Sequence, residues 1–238
     1  MPMGDAPSED VDGALLASWG NLAGIDEVGR GALAGPLAVG VVIIDRRCGP
    51  APKGITDSKA LRPGRREALA DPIRRWGASL GVVWATPGEI CALGLTPALR
   101  LAALRGLALA NTSLTRRGLP TAQGVLLDGK HDYLSGPASL FPSEVPDPWL
   151  GKRRPPVATL VKADLRSKAV GAASILAKVA RDHYMRSIAD PVYGWAANSG
   201  YGSAAHLAAL RSLGISSRHR SGWNLPRRTE RGEERPVD

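Results

Sequence analysis

An α/β domain, with helices covering a mixed sheet, is the fold class this sequence predicts, and three observations predict it. Two strand-like runs, 22–28 and 37–44, flank the glycine-rich Gly29-Arg30-Gly31-Ala32-Leu33-Ala34-Gly35-Pro36 early in the chain. Later, short apolar runs alternate with long helical stretches, an order that lays helices on a sheet. The chain has 238 residues, 44% of them apolar, enough to bury a sizeable core within one mid-sized domain.

The elements follow in order. Residues 1–20 read as a loose lead-in. The runs 22–28 and 37–44 are apolar and rich in β-branched residues, and the glycines and proline between them mark a turn. A helix is expected over 65–76 and a third strand over 79–85. A longer Ala- and Leu-rich stretch, 87–111, reads as two helices broken near Gly94 and Pro97. The runs 124–127 and 157–162 suit buried strands of a mixed or parallel sheet. Between them, 130–156 is a long connection rich in Pro, Ser and Gly. Helices are then expected over 168–188 and 204–213. The tail 224–238 is rich in Pro, Arg and Glu without periodicity and is expected to be disordered.

Charge and cysteine content bound the function. Lys and Arg number 31 against 22 Asp and Glu, a net charge of +9. Residues 151–220 hold 12 of the basic residues and three acids, so the excess is regional. A localised positive surface suits a phosphate backbone, against the plainer reading of a solvated basic helical face. Cys48 and Cys91 have neither disulfide-framework nor metal-site spacing, which fits a reducing compartment. The start of the chain is acidic, and the longest apolar run, 32–44, is shorter than the ~18 residues of a membrane span and contains Pro36. A cytoplasmic protein that binds no membrane is the expectation.

Carboxylates stand where apolar strands give out: Asp26 and Glu27 on the first, Asp128 after Val125-Leu126-Leu127, and Asp164 after Leu160-Val161-Lys162-Ala163. Each alone reads as a turn former or salt-bridge partner. Strand ends in α/β sheets converge on a common crevice, however, and four carboxylates there repel one another unless cations neutralise them. Oxygen-only ligands select Mg²⁺ or Mn²⁺, and the lack of Cys or His at matching positions argues against zinc. Two such ions can clamp the attacking water and the leaving oxygen of a phosphodiester displacement. Neighbouring strand residues point to opposite faces, so Asp26 and Glu27 reach one cluster only if the strand ends or bulges there.

The segment Gly24-Ile25-Asp26-Glu27-Val28-Gly29-Arg30-Gly31 resembles the opening signature of the ribonuclease HII, or type 2 ribonuclease H, family. In order and spacing, Asp57-Ser58-Lys59-Ala60-Leu61, Leu126-Leu127-Asp128-Gly129, Lys162-Ala163-Asp164, the stretch 173–182, and Gly200-Tyr201-Gly202 with His206 are also similar to family motifs. The resemblance spans about 22–223. It implies an RNase H-like fold, a mixed central sheet flanked by helices with a helical C-terminal portion, and a catalytic domain over 21–223. Implied too is metal-dependent cleavage of the RNA strand of RNA–DNA hybrids and incision 5′ to ribonucleotides embedded in duplex DNA, leaving 3′-hydroxyl and 5′-phosphate ends. By position, Asp26, Glu27, Asp128 and Asp164 take the family's acidic roles at the metal site. Gly29, Arg30 and Gly31 match the loop that reads the ribose 2′-hydroxyl, and Tyr201 matches the tyrosine at the RNA-to-DNA junction. A monomer is expected, and no protein partner is assigned.

The residue chemistry agrees. The 2′-hydroxyl both donates and accepts, glycines let the backbone approach a sugar, and an aromatic face stacks without regard to sequence. Three departures from the family stand out. Ala163 replaces a glycine and Ala60 a lysine, and Arg218-His219-Arg220-Ser221-Gly222-Trp223 matches its counterpart only loosely, so no role is assigned there. The alternatives are another nuclease of the same fold, which would not depend on the 2′-hydroxyl, and a non-catalytic hybrid-binding module, whose acids would hold no metal. A nucleotide-binding kinase or ATPase is disfavoured, because no Gly-Lys-Ser/Thr phosphate loop occurs.

Overall fold

The computed structural model describes residues 10–135, 148–149, 151, 153–188 and 190–226. Most of the connection 130–156, and the tail beyond 226, lie outside the described residues.

Five strands form one sheet in the order β3-β2-β1-β4-β5. β1 (Leu22–Val28), β2 (Leu37–Ile44) and β3 (Ser79–Ala85) make an antiparallel meander, and β4 (Gly124–Asp128) and β5 (Val157–Leu160) continue it in parallel. The mixed sheet is as expected, and β1, β2 and β3 have the expected bounds. Every residue of β2 is buried because both faces of the sheet are covered, so its sequence is an unbroken apolar run.

On one face lies α4 (Leu95–Arg116), whose Leu99, Leu104 and Leu107 pack on Ile25, Val39 and Val41. On the other lie α6 (Lys168–Ser187) and α2 (Pro63–Trp76), whose Val170, Ile175 and Ile73 pack with Leu22, Val42 and Leu126. α3 (Pro87–Leu93) starts in a capping box between Thr86 and Glu89 and ends at Gly94, whose φ of 82° also opens α4. The expected break is therefore at Gly94, while Pro97 fits in the first turn of α4. Short helices α5 (Ala163–Arg166) and α7 (Trp195–Asn198), with α8 (Ala204–Leu213), are the remaining helices beyond β1 among the described residues. Around α7 and α8, Tyr193, Trp195 and Leu210 pack against Met185 of α6, forming the helical C-terminal portion.

Expectation is exceeded at the end of α4, which runs to Arg116 and not 111, and missed at β5, which ends at Leu160 and not 162, while α5 and α7 were not foreseen. The lead-in is not loose throughout, because α1 (Val11–Trp19) forms within it. Its Asp12 carboxylate accepts from the Ser167 hydroxyl at 2.6 Å and from the Lys168 and Ala169 N–H groups at 2.7 and 3.1 Å, so a side chain from α1 caps the N-terminus of α6. α6 is held tight to the sheet by glycines: a Cβ on Gly40 would lie 2.1 Å from the Ala173 carbonyl oxygen, and one on Gly24 2.4 Å from the Ala169 carbonyl carbon. No helix among the described residues is long and apolar enough to cross a membrane.

Candidate active site

β1 has antiparallel β2 on one side and parallel β4 on the other, and its pairing with β4 stops at Ile25 opposite Leu127. Asp26 and Glu27 follow on β1 and Asp128 closes β4, so three carboxylates flank the point where the two strands part. Such a parting at the C-terminal ends of parallel strands opens a crevice. Asp164 enters from α5, just beyond β5. The Ala163 N–H donates to Asp128 Oδ1 at 2.7 Å, tying the third acid to the turn that carries the fourth.

No bulge occurs at Asp26 and Glu27, which pair regularly with Gly40 and Val39. Alternation therefore sends Asp26 to the α6 face, with Gly24, and Glu27 to the α4 face, with Ile25. Among the described residues no three His, Cys, Asp or Glu side chains are gathered closely enough to hold an ion. The acids border one crevice from both sides of the sheet end and do not form a closed cage.

Their electrostatics call for a cation. Burial, then the neighbouring Glu27 and Asp128 charges, push the Asp26 carboxyl up to about 8, opposed by the Ser174 hydroxyl and the Glu27 N–H. Burial, with Asp128 and Asp57 adding, raises Asp164 to about 6 against the pull of Lys59. Glu27 is raised by burial and by Asp128, and Arg30, which reaches its Oε1 at 3.4 Å, draws it down. Burial acts to lower the Lys59 ammonium, and the combined attraction of Asp26, Asp57, Asp164 and Asp128 overrides it. An all-oxygen donor set whose negative charge Lys59 and Arg30 only partly offset is of the kind that suits a hard divalent cation such as Mg²⁺ or Mn²⁺.

The sign of the Asp26 shift gives a stability prediction. A carboxyl raised by folding favours the fold fully below its ordinary value of 3.8, and this contribution is lost as pH rises through about 8. Asp26→Asn, neutral throughout, is expected to melt above the unsubstituted protein at pH 8 in chelator, with the gap closing toward pH 4. Superimposed melting curves at pH 8 would show that Asp26 is not a buried uncompensated charge.

The other expected site residues lie on the loop that leaves β1 and on the segment packed against it through Arg181. Gly29, Arg30 and Gly31 leave the end of β1, with Gly29 at a φ of 90°. Tyr201 is 38% exposed, and the Arg181 guanidinium lies 5.5 Å from its ring centroid. That guanidinium also lies against Gly29, where a Cβ would fall 2.1 Å from Nε, so Arg181 joins the loop to Tyr201. Behind Tyr201, His206 Nδ1 is 2.9 Å from its carbonyl oxygen.

Ala163 is tolerated because it begins a helix, while the left-handed conformation falls on Lys162 at a φ of 57°. Ala60 is exposed and stands apart from the acids' partners. The set of acids, loop and tyrosine omitted Lys59, although the Asp57-Ser58-Lys59 motif signalled it. Ser58 is anchored by the Ser174 hydroxyl at 2.9 Å and by Arg66, which donates to its carbonyl at 2.9 Å. Tyr133 was missed as well. Among the described residues its buried hydroxyl has no hydrogen-bond partner, it feels the charges of Glu27, Asp26 and Asp128, and no local pattern marks it.

Similarity to known proteins bears on the family and the fold. The sequence model of the ribonuclease HII family matches residues 23–92 and 150–225. A ribonuclease HII of Streptomyces avermitilis is 42% identical over 224 residues, 92% of this chain and 84% of the relative. That of Jannaschia sp. is 39% identical over 206 residues, 86% of this chain and 89% of the relative. The crystal structure of ribonuclease H2 from Pyrococcus horikoshii superposes with a TM-score of 0.59 at 27% identity, covering 86% of this chain and 94% of that one. A ribonuclease HIII from Bst, solved with Mn²⁺, shares the fold at a TM-score of 0.63 and 20% identity, over 89% of this chain and 69% of that one. Related in sequence over nearly its whole length and folded in the same way, this chain belongs to the ribonuclease HII family and is an endoribonuclease, a hydrolase with ribonuclease H activity on RNA–DNA hybrids.

Proposed function

We propose that this endoribonuclease also incises 5′ to ribonucleotides embedded in duplex DNA, leaving 3′-hydroxyl and 5′-phosphate ends, and that it uses Mg²⁺ or Mn²⁺ held by Asp26, Glu27, Asp128 and Asp164. One observation carries the reading: β1, which bears Asp26 and Glu27 where it parts from β4, also launches the Gly29–Gly31 loop, so sugar reading and hydrolysis would share one crevice. Divalent ions bound there would activate water and stabilise the leaving oxygen. The chain's own residues supply the rest. Among the described residues the Arg30 and Gly31 amides have no protein partner, which leaves two donors for the ribose 2′-hydroxyl. Tyr201 offers an exposed ring to stack at the junction, and Lys59 offers a cation beside the acids for the scissile phosphate.

Exposed Arg186, Arg211 and Arg218 belong to the basic segment proposed to meet the phosphate backbone, whereas Arg181 and Arg220 are buried and do not form part of that surface. A monomer acting in the cytoplasm, in ribonucleotide excision repair and DNA replication, is the corresponding setting. The test is incision of a labelled duplex holding one ribonucleotide, beside the all-DNA duplex, with Mg²⁺, Mn²⁺ or chelator. Cutting only at the ribonucleotide and only with metal is expected. Equal cutting of the all-DNA duplex would point to a nuclease that ignores the 2′-hydroxyl, and binding without cutting under either ion would overturn the proposed incision.

A further inference from the structure

Two of the arginines in the basic segment lie under the substrate-reading loop and are 0% exposed. Among the described residues neither makes an ion pair: the nearby Asp182 is taken by Arg66 at 3.2 Å and Lys178 at 2.6 Å. Backbone carbonyls satisfy both guanidinium groups instead. Arg220 donates from Nε to Gly35 at 3.2 Å, from Nη1 to Arg30 at 2.9 Å and from Nη2 to Gly29 at 2.7 Å. Arg181 donates from Nε to Pro36 at 2.8 Å, from Nη1 to Ser199 at 2.8 Å and from Nη2 to Ala34 at 3.3 Å.

Five of the six acceptors belong to the 29–36 loop. A buried charge is costly unless it is fully hydrogen-bonded, and only a rigid fork of N–H donors meets three carbonyls at once. Peptide planarity then sets the outer surface of the loop. In a trans peptide the C=O and the following N–H point in opposite directions. Turning the Gly29 carbonyl inward faces the Arg30 N–H outward, and turning the Arg30 carbonyl inward does the same for Gly31. Among the described residues neither of these two amides has a protein partner.

We propose that Arg220, assisted by Arg181, is a positioning residue for sugar discrimination, holding the loop carbonyls inward so that the Arg30 and Gly31 amides face the ribose. The loosely matching segment around Arg220 thereby acquires a role. The same segment braces the loop along its backbone, since the Gly35 N–H donates to the Arg218 carbonyl at 2.9 Å and the Arg220 N–H to that of Leu33 at 2.9 Å. This inference rests on the reading that the loop meets the 2′-hydroxyl.

The test compares Arg220→Lys and Arg181→Lys with the unsubstituted chain, after thermal melting shows that each variant is folded at the assay temperature. Lysine keeps the charge and loses the fork. Arg220→Lys is expected to lower kcat at a single embedded ribonucleotide by about 100-fold with KM little changed, the size of effect an ångström of misplacement produces. In chelator it should also lose the preference for ribonucleotide-containing over all-DNA duplex while keeping its all-DNA affinity. If the unsubstituted chain shows no such preference and no ribonucleotide-specific cutting, the underlying reading fails. If that preference exists and both variants keep it at full kcat, the positioning role fails and the reading stands. Failure of both variants to fold would also overturn the proposal, because the arginines would then support the fold as a whole and not the loop.

Discussion

Asp128→Asn is expected to lower turnover on an RNA–DNA hybrid by about 1,000-fold while leaving hybrid affinity nearly unchanged. Asp128 Oδ1 accepts the Ala163 N–H at 2.7 Å, and an asparagine carbonyl can accept the same bond, so the link to α5 survives. What disappears is one negative charge from the crevice that Asp26, Glu27 and Asp164 share with it. The basic surface is untouched, so binding to the phosphate backbone should persist. Steady-state turnover with Mg²⁺, paired with fluorescence anisotropy in chelator, separates the two effects. Turnover within about tenfold of the unsubstituted enzyme would remove Asp128 from the catalytic set, since a lost ligand charge costs far more than that.

The second large effect concerns the fold that carries the site. Gly40→Ala places a Cβ 2.1 Å from the Ala173 oxygen and 2.8 Å from its carbonyl carbon. Both are backbone atoms of α6, so relief requires the whole helix to retreat from β1 and β2. Such overpacking costs about 3 kcal/mol, which for a chain of this size lowers the melting midpoint by roughly 6–12 °C. Activity should fall as well, because α6 carries Ser174 beside Asp26 and Arg181 beneath the loop. Gly64→Ala is the matched control: nothing lies within 4 Å of its Cβ position, and the change should stay within about 0.5 kcal/mol. An unchanged midpoint for Gly40→Ala would mean that α6 packs less closely than described.

The sequence alone determined the elements whose signals are local. β1, β2 and β3 were legible because apolar runs with β-branched residues, bounded by turn-forming residues, carry a local strand signal. The break at Gly94 was legible because a glycine there ends one helix and begins the next. The four acids stood out because a carboxylate at the end of an apolar strand needs a reason to be there. By contrast, α1 has little amphipathic pattern of its own, and its Asp12 is engaged by N–H groups more than 150 residues away.

Only the tertiary structure decided how the acids share their crevice. Sequence alternation put Asp26 and Glu27 on opposite faces, and the expected remedy was a strand end or a bulge. What brings both acids to the crevice is the parting of β1 from β4 after Ile25 and Leu127, a property of strand pairing that neither strand encodes alone. Tertiary structure likewise decided which arginines face solvent. A charge count treats Arg181, Arg220 and Arg218 alike, yet two of them are caged by carbonyls and the third is exposed. Strand and helix signals are read from neighbours a few residues away, whereas burial, and with it the strength of every charge in the site, is set by groups that folding brings together from across the chain.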